Sequence, residues 1–226
     1  MRMLFTLYLL AASAAMAGPQ PGGVGLSATR MVYLSSASQS SLSIRNSDKQ
    51  APFLIQSWIE DEQGKKSNDF VIIPPLFVLK PASENAIKII FNGQPLPKDR
   101  ESQYWITVKA IPQSSEETHK NVLQFASASR IKLFYRPASL RDKPKDVAKQ
   151  ISGSLLNDRI ILKNPTPYYI TTIDLKVDGK NVKSVMIPPK GQTQLEEHTP
   201  GAHRFSYRTI NDYGAWTEET TYTLKE

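Results

Sequence analysis

The sequence predicts an all-β protein built from two immunoglobulin-like sandwiches. Three observations carry this expectation. From about residue 25 onward, apolar and polar residues alternate with period two in short runs; clusters of Asn, Gly and Pro separate the runs; and a sandwich of about 100 residues cannot hold the roughly one dozen runs present. The chain has 226 residues, with 40% hydrophobic and 9% aromatic content. That is too apolar for a disordered chain and too dilute for a multi-span membrane protein.

In chain order, residues 1–17 come first. Arg2 precedes an apolar run from Met3 to Ala12, and Ala15-Met16-Ala17 is a small-x-small cleavage pattern ahead of Gly18-Pro19. The apolar run is too short for a permanent span, so the segment reads as a cleaved secretory signal peptide. Removing it with Arg2 takes the formal charge from +7 to +6. Export argues against nucleic acid as the partner of that excess charge. No later stretch has the length of apolar sequence that membrane insertion needs.

Strands are expected at Ser41-Leu42-Ser43-Ile44, Ile87-Lys88-Ile89, Tyr104 to Ile111, Tyr169 to Val177 and Phe205 to Tyr207. Asp178-Gly179, between Val177 and Val182, marks a tight hairpin. Trp58, in a middle strand, is expected in the core. The segment Pro137 to Gln150 is charged, carries Pro137 and Pro144 and lacks alternation, so it reads as a domain connection. The expected layout is a first domain at 18–137, a linker at 138–149 and a second domain at 150–226. The only helical candidate is Lys145 to Ile151.

One strand is disproportionate. Asn121 to Arg136 contains no Gly or Pro, and at ~3.3 Å per residue it reaches roughly 53 Å, well beyond an ordinary strand. It must bend or run past the end of its sheet. One face carries Leu123, Phe125, Ser127, Ser129, Ile131, Leu133 and Tyr135; the other carries Arg130, Lys132, Phe134 and Arg136. The small residues in its middle would let another backbone lie close.

Catalytic patterns are missing. The chain has no Cys, which removes thiolate nucleophiles, Cys-metal sites and disulfides. His198 and His203 flank the turn Thr199-Pro200-Gly201, which denies them the one-face helical spacing of a zinc pair. No phosphate loop, dinucleotide fingerprint, Gly-x-Ser-x-Gly or His-Glu-x-x-His occurs. The reading is a non-enzyme with no cofactor and no metal.

Several stretches together are similar to one family. Thr29-Arg30-Met31-Val32-Tyr33, Pro52-Phe53-Leu54-Ile55-Gln56-Ser57-Trp58, Pro74-Pro75, Asp99-Arg100-Glu101, Asn121-Val122-Leu123-Gln124, Arg130 to Pro137, Asn164-Pro165-Thr166-Pro167-Tyr168-Tyr169 and Ile210-Asn211-Asp212-Tyr213-Gly214 resemble the periplasmic pilus-assembly chaperones of the chaperone-usher pathway. The resemblance implies two immunoglobulin-like domains in a boomerang around a cleft, a periplasmic address and no use of ATP. It implies that fimbrial subunits are capped by a donated strand, about 121–132, with Leu123 and Phe125 as its apolar positions. Ser127 stands where relatives often carry a third apolar residue. Arg30 and Lys132 match the pair that holds the subunit's C-terminal carboxylate, and Glu101, Arg136 and Asp212 match an interdomain salt-bridge set. Pro52, Leu54, Pro74, Pro75 and Ile111 lie where the family meets the outer-membrane usher. The short connection Pro112 to Lys120 favours the short-loop branch, whose members assemble rod-like pili. When free, such a chaperone could hide its apolar strand in a self-capping homo-oligomer. From the residues without the resemblance, a secreted two-domain structural or adhesive module stays open.

Overall fold

The computed structural model describes residues 22–113, 125–142 and 145–224. The first domain has strands β1 (Val24–Leu26), β2 (Arg30–Leu34), β3 (Ser40–Asn46), β4 (Phe53–Glu60), β5 (Phe70–Ile73), β6 (Leu76–Leu79), β7 (Glu84–Phe91), β8 (Ser102–Pro112) and β9 (Ser127–Arg136). They form two facing sheets ordered β1-β3-β7-β5 and β2-β9-β8-β4-β6. The alternation works as a sandwich requires: Leu42, Ile44, Ile72, Ile87 and Ile89 from one sheet meet Ile55, Ile59, Ile106, Val108 and Leu133 from the other, all buried. Tyr33, Phe70, Phe91, Tyr104 and Tyr135 add ring contacts at centroid distances from 4.6 to 6.0 Å.

The second domain holds β10 (Ser152–Leu156), β11 (Arg159–Asn164), β12 (Ile170–Val177), β13 (Lys180–Asn181), β14 (Met186–Ile187), β15 (Gly191–Gln194), β16 (Arg204–Thr209) and β17 (Thr220–Thr223). Its sheets run β10-β11-β15 and β13-β12-β16-β17, with β14 also on β12. Val177 pairs with Lys180 across Asp178-Gly179, where φ values of 46° and 83° give the left-handed turn that suits strand twist.

Two local expectations need revision. Trp58 is not in the core: it lies on the outer face of its sheet, half-buried, with Nε1 donating to Glu60 Oε1 at 2.8 Å. Its neighbours Ser57 and Ile59 take the inward positions, so the two-residue period sends the indole outward. The segment expected as a linker is partly structural. It forms 3₁₀ turns at Ala138–Leu140 and Lys145–Gln150, and Val147 enters the second core. Tyr168 Oη donates to Leu140 O at 3.1 Å and Tyr207 Oη to Ala148 O at 2.7 Å, which ties the segment to that domain.

Candidate functional site

Strand β9 connects the features of the candidate site. Its inward residues Ile131 and Leu133 are buried in the first core. Continuing the same face backwards, Ser129 and Ser127 are exposed and Phe125 is 77% exposed. The inward face therefore outruns its own core. The hydrogen-bonding edge behaves the same way. Ser127 to Tyr135 pair with β8, whereas β2 pairs only from Lys132 to Arg136, in parallel. Among the described residues, Ser127 to Ile131 have a paired side and an open side. Leu123 lies outside the described residues, as does most of the Pro112 to Lys120 connection.

The outward face of the same sheet carries a row of side chains across four strands. Arg30 on β2 is opposite Lys132 on β9, Lys132 is opposite Trp105 on β8, and Trp105 is opposite Glu60 on β4. The second domain covers one end of this row. Arg30 is 9% exposed and donates from Nη1 to Ile210 O at 3.1 Å, while its Nε is buried with no partner among the described residues. Lys132 donates to Thr171 Oγ1 at 3.3 Å. Among the described residues, neither cation reaches a carboxylate.

This arrangement is electrostatically costly. Burial lowers the Arg30 pKa, against the pull of Asp212 and Glu101. Burial, with the Arg30 charge beside it, brings the Lys132 ammonium down to about 8. Two sheltered cations and an orphaned guanidinium donor make a site suited to an anion.

Beside the pair, Arg136 bridges the domains. Its Nε donates to Glu101 Oε1 at 2.7 Å, and its Nη1 and Nη2 donate to Asp212 Oδ2 and Oδ1 at 2.6 and 2.9 Å. Burial opposes the Arg136 charge, but the Asp212 and Glu101 contacts outweigh it and its pKa is raised. Local sequence aims each partner. Asn211 Oδ1 accepts from the amides of Tyr213 and Ala215, closing the turn that presents Asp212. Asn164 pins the proline-rich turn through Nδ2 to Tyr168 O at 2.7 Å, and that turn brings Pro167 O to the Glu101 amide at 2.9 Å. The Tyr169 amide then donates to Glu101 Oε2 at 2.8 Å.

The structure thus brings Arg30 and Lys132 together and gathers Glu101, Arg136 and Asp212 beside them. Sequence reasoning missed Thr171, the Phe134–Tyr169 ring stack at 5.6 Å, and the Trp105, Arg130 and Glu60 cluster. Phe134 and Arg130 share the face of Lys132 by parity alone; the rest depend on strand register. The usher-surface candidates separate. Leu54 pairs with Ile111 and Val78 on the outward face, and Leu54, Leu76 and Val78 are exposed. Pro75 is exposed, while Pro52 and Pro74 are half-buried. His198 and His203 lie on exposed loops beside Asp158 and Asp178.

Residues 23–141 match the family described as pili and flagellar-assembly chaperone, PapD N-terminal domain, and residues 146–221 match the pili assembly chaperone PapD, C-terminal domain. The probable fimbrial chaperone protein ElfD of Escherichia coli (strain K12) is 44% identical over 216 residues, covering 95% of this chain and 92% of ElfD. The chaperone protein FimC of the same strain is 39% identical over 212 residues, or 92% and 88% of the two chains. Among solved structures, the periplasmic chaperone SfaE is similar with a TM-score of 0.76 and 42% identity over 88% of this chain and 99% of SfaE. A Salmonella enterica structure, the SafA pilin in complex with the SafB chaperone, matches with a TM-score of 0.82 and 28% identity over 92% of this chain and 99% of the matched chain. With both domains matched in order and relatives this similar along nearly the whole chain, the protein belongs to the pilus-assembly chaperones of the PapD family.

Proposed function

We propose that this chain is a periplasmic chaperone that captures fimbrial subunits by lending them the open edge of β9. The observation that carries the reading is the overrun of that strand: among the described residues, Ser127 to Ile131 are paired on one side only, and Phe125 continues the inward face beyond the core. A subunit sandwich lacking one strand would gain main-chain pairing from that edge. Each apolar side chain buried from Phe125 and Leu123 would add roughly 1.5 to 3 kcal/mol. Ser127 is small and hydroxylated and would fill its position shallowly. A similar chaperone, SafB, is found in complex with the SafA pilin, which supports subunit binding by this chain.

Arg30 and Lys132 would then hold the subunit's C-terminal carboxylate. Charge-assisted hydrogen bonds of this kind contribute on the order of 1.5 to 3 kcal/mol, and the carboxylate would supply the anion that the buried cations lack. Arg136, with Glu101 and Asp212, would fix the domains so that β9 and the cation pair act on one ligand. Pro52, Leu54, Pro74, Pro75 and Ile111 would offer an apolar surface to the outer-membrane usher. Residues 1–17 would direct export and be removed.

The test is co-expression in the periplasm with the subunit from the neighbouring reading frame. Wild type should co-purify with subunit, and Lys132→Met should remain folded without retaining it. Retention of subunit at wild-type yield by Lys132→Met would refute the carboxylate site.

A further inference from the structure

The row that holds Lys132 also holds a carboxylate of the same chain. Glu60, two strands away, shares the outward face with Trp105 between them. Lys132 is a long, flexible cation in a partly desolvated setting, where a nearby carboxylate is an attractive partner. Glu60 is already engaged. Its Oε2 accepts from Arg130 Nε at 2.7 Å and lies 2.7 Å from Nη2, and its Oε1 accepts from Trp58 Nε1. The Arg130 guanidinium lies 4.2 Å from the centre of the Trp105 ring, and the Lys132 ammonium lies 5.9 Å from it.

We propose that Arg130 and Trp105 form a positioning unit for Lys132. Arg130 binds Glu60, and the Trp105 indole separates Glu60 from Lys132, so the ammonium stays available for an incoming carboxylate. The inference rests on the carboxylate reading of the Arg30–Lys132 pair. Charged groups around Lys132 fit it. Arg30 on β2 is the near charge that acts on Lys132; Arg130 on β9 is paired to Glu60 of β4; and from the second domain Asp212 is drawn, with Glu101, to Arg136. β8 contributes the uncharged Trp105, and β12 the Thr171 hydroxyl. The low Lys132 pKa agrees with an ammonium that meets no carboxylate among the described residues. An ion pair serving only to brace the sheet would not need an aromatic wall between it and the next cation.

The test uses the full mature chain and a synthetic 12-residue peptide of alternating apolar residues, once with a free C-terminal carboxylate and once as the C-terminal amide. The ratio of the two affinities reads the carboxylate site directly. In Arg130→Gln, Glu60 keeps Trp58 Nε1 on Oε1 but its Oε2 loses the guanidinium and competes for Lys132, so the acid-over-amide preference should fall by about threefold to tenfold. Glu60→Gln removes the competitor and should keep the preference, and the double variant Arg130→Gln/Glu60→Gln should regain it. Trp105→Phe should retain more of the preference than Trp105→Ala. The Lys132 titration, followed by NMR of Nζ without peptide, should move up in Arg130→Gln and not in Glu60→Gln. A purely bracing role predicts equal damage from Arg130→Gln and Glu60→Gln and no rescue; that pattern, or an unmoved Lys132 titration in Arg130→Gln, overturns the proposal. If Lys132→Met itself kept the wild-type ratio, the carboxylate reading would fail too. A Lys132→Met effect without an Arg130→Gln effect rejects only the positioning unit.

Discussion

Arg136 of the first domain and Asp212 of the second are joined by a two-pronged contact of 2.6 and 2.9 Å. The same guanidinium satisfies Glu101, whose side chain is 1% exposed. Arg136→Met should therefore cost about 3–5 kcal/mol, because it leaves the Glu101 carboxylate buried and unpaired. Adding Glu101→Gln should recover part of that loss. Asp212→Asn should cost less, about 1 kcal/mol, since the Asp212 side chain is 27% exposed. Urea unfolding of the three variants checks the order.

Lys132 should make capture pH-dependent. Its pKa is about 8 in the fold against an ordinary 10.5, so between those values the unfolded chain holds a proton that the folded chain lacks. Its contribution to stability is unfavourable below about pH 8 and improves as pH rises toward 10.5. Carboxylate binding favours the protonated form, so it has the opposite trend: above pH 8, capture takes up a proton and weakens by up to about tenfold per pH unit. Binding measured from pH 7 to 9.5 in buffers of different ionisation heat should show both the uptake and its disappearance in Lys132→Met.

Phe125→Asp should separate capture from folding. The ring is 77% exposed, so the free protein loses no buried contact and its melting temperature should stay within a degree or two of wild type. Capture should fall by at least about tenfold, because a charge would enter an apolar groove. Unchanged capture would remove Phe125 from the donated face.

Gly214→Ala should loosen the junction. Gly214 has φ of 83°, and a Cβ there would come within 2.5 Å of Thr29 Oγ1 in the other domain. Strain and clash together should cost about 1–3 kcal/mol. Small-angle scattering alongside thermal unfolding would show whether the domains part before they unfold.

Leu54→Asp tests the outward apolar strip. Leu54 is 37% exposed and pairs with Ile111 and Val78, so the fold should tolerate the charge at about 1 kcal/mol or less. Subunit capture should persist while transfer to the usher fails, read by pull-down with the usher's periplasmic portion.

Much of the architecture could be read locally. Period-two alternation marked Ile87-Lys88-Ile89 and Tyr104 to Ile111 as strands, and the Asp178-Gly179 pair announced its hairpin. Parity along 121–136 also put Arg130, Lys132, Phe134 and Arg136 on one face. Parity could not say which face looks inward on β4, where Ser57 points in and Trp58 out. Nor could it show that a charged connection would place Val147 in a core.

The sequence by itself determined the all-β class, several of the strands and the two sandwiches, and through family resemblance it nominated residues for the cleft. Strand alternation and turn chemistry are local, and they are written in neighbouring residues. Only the tertiary structure decided that Arg30, Lys132, Trp105 and Glu60 stand in one row, that Thr171 and Ile210 reach that row from the second domain, and that β9 outruns β2 and, among the described residues, leaves an open edge. Those facts depend on register and domain docking, which are set by long-range pairing between segments distant in the chain, so no local pattern encodes them.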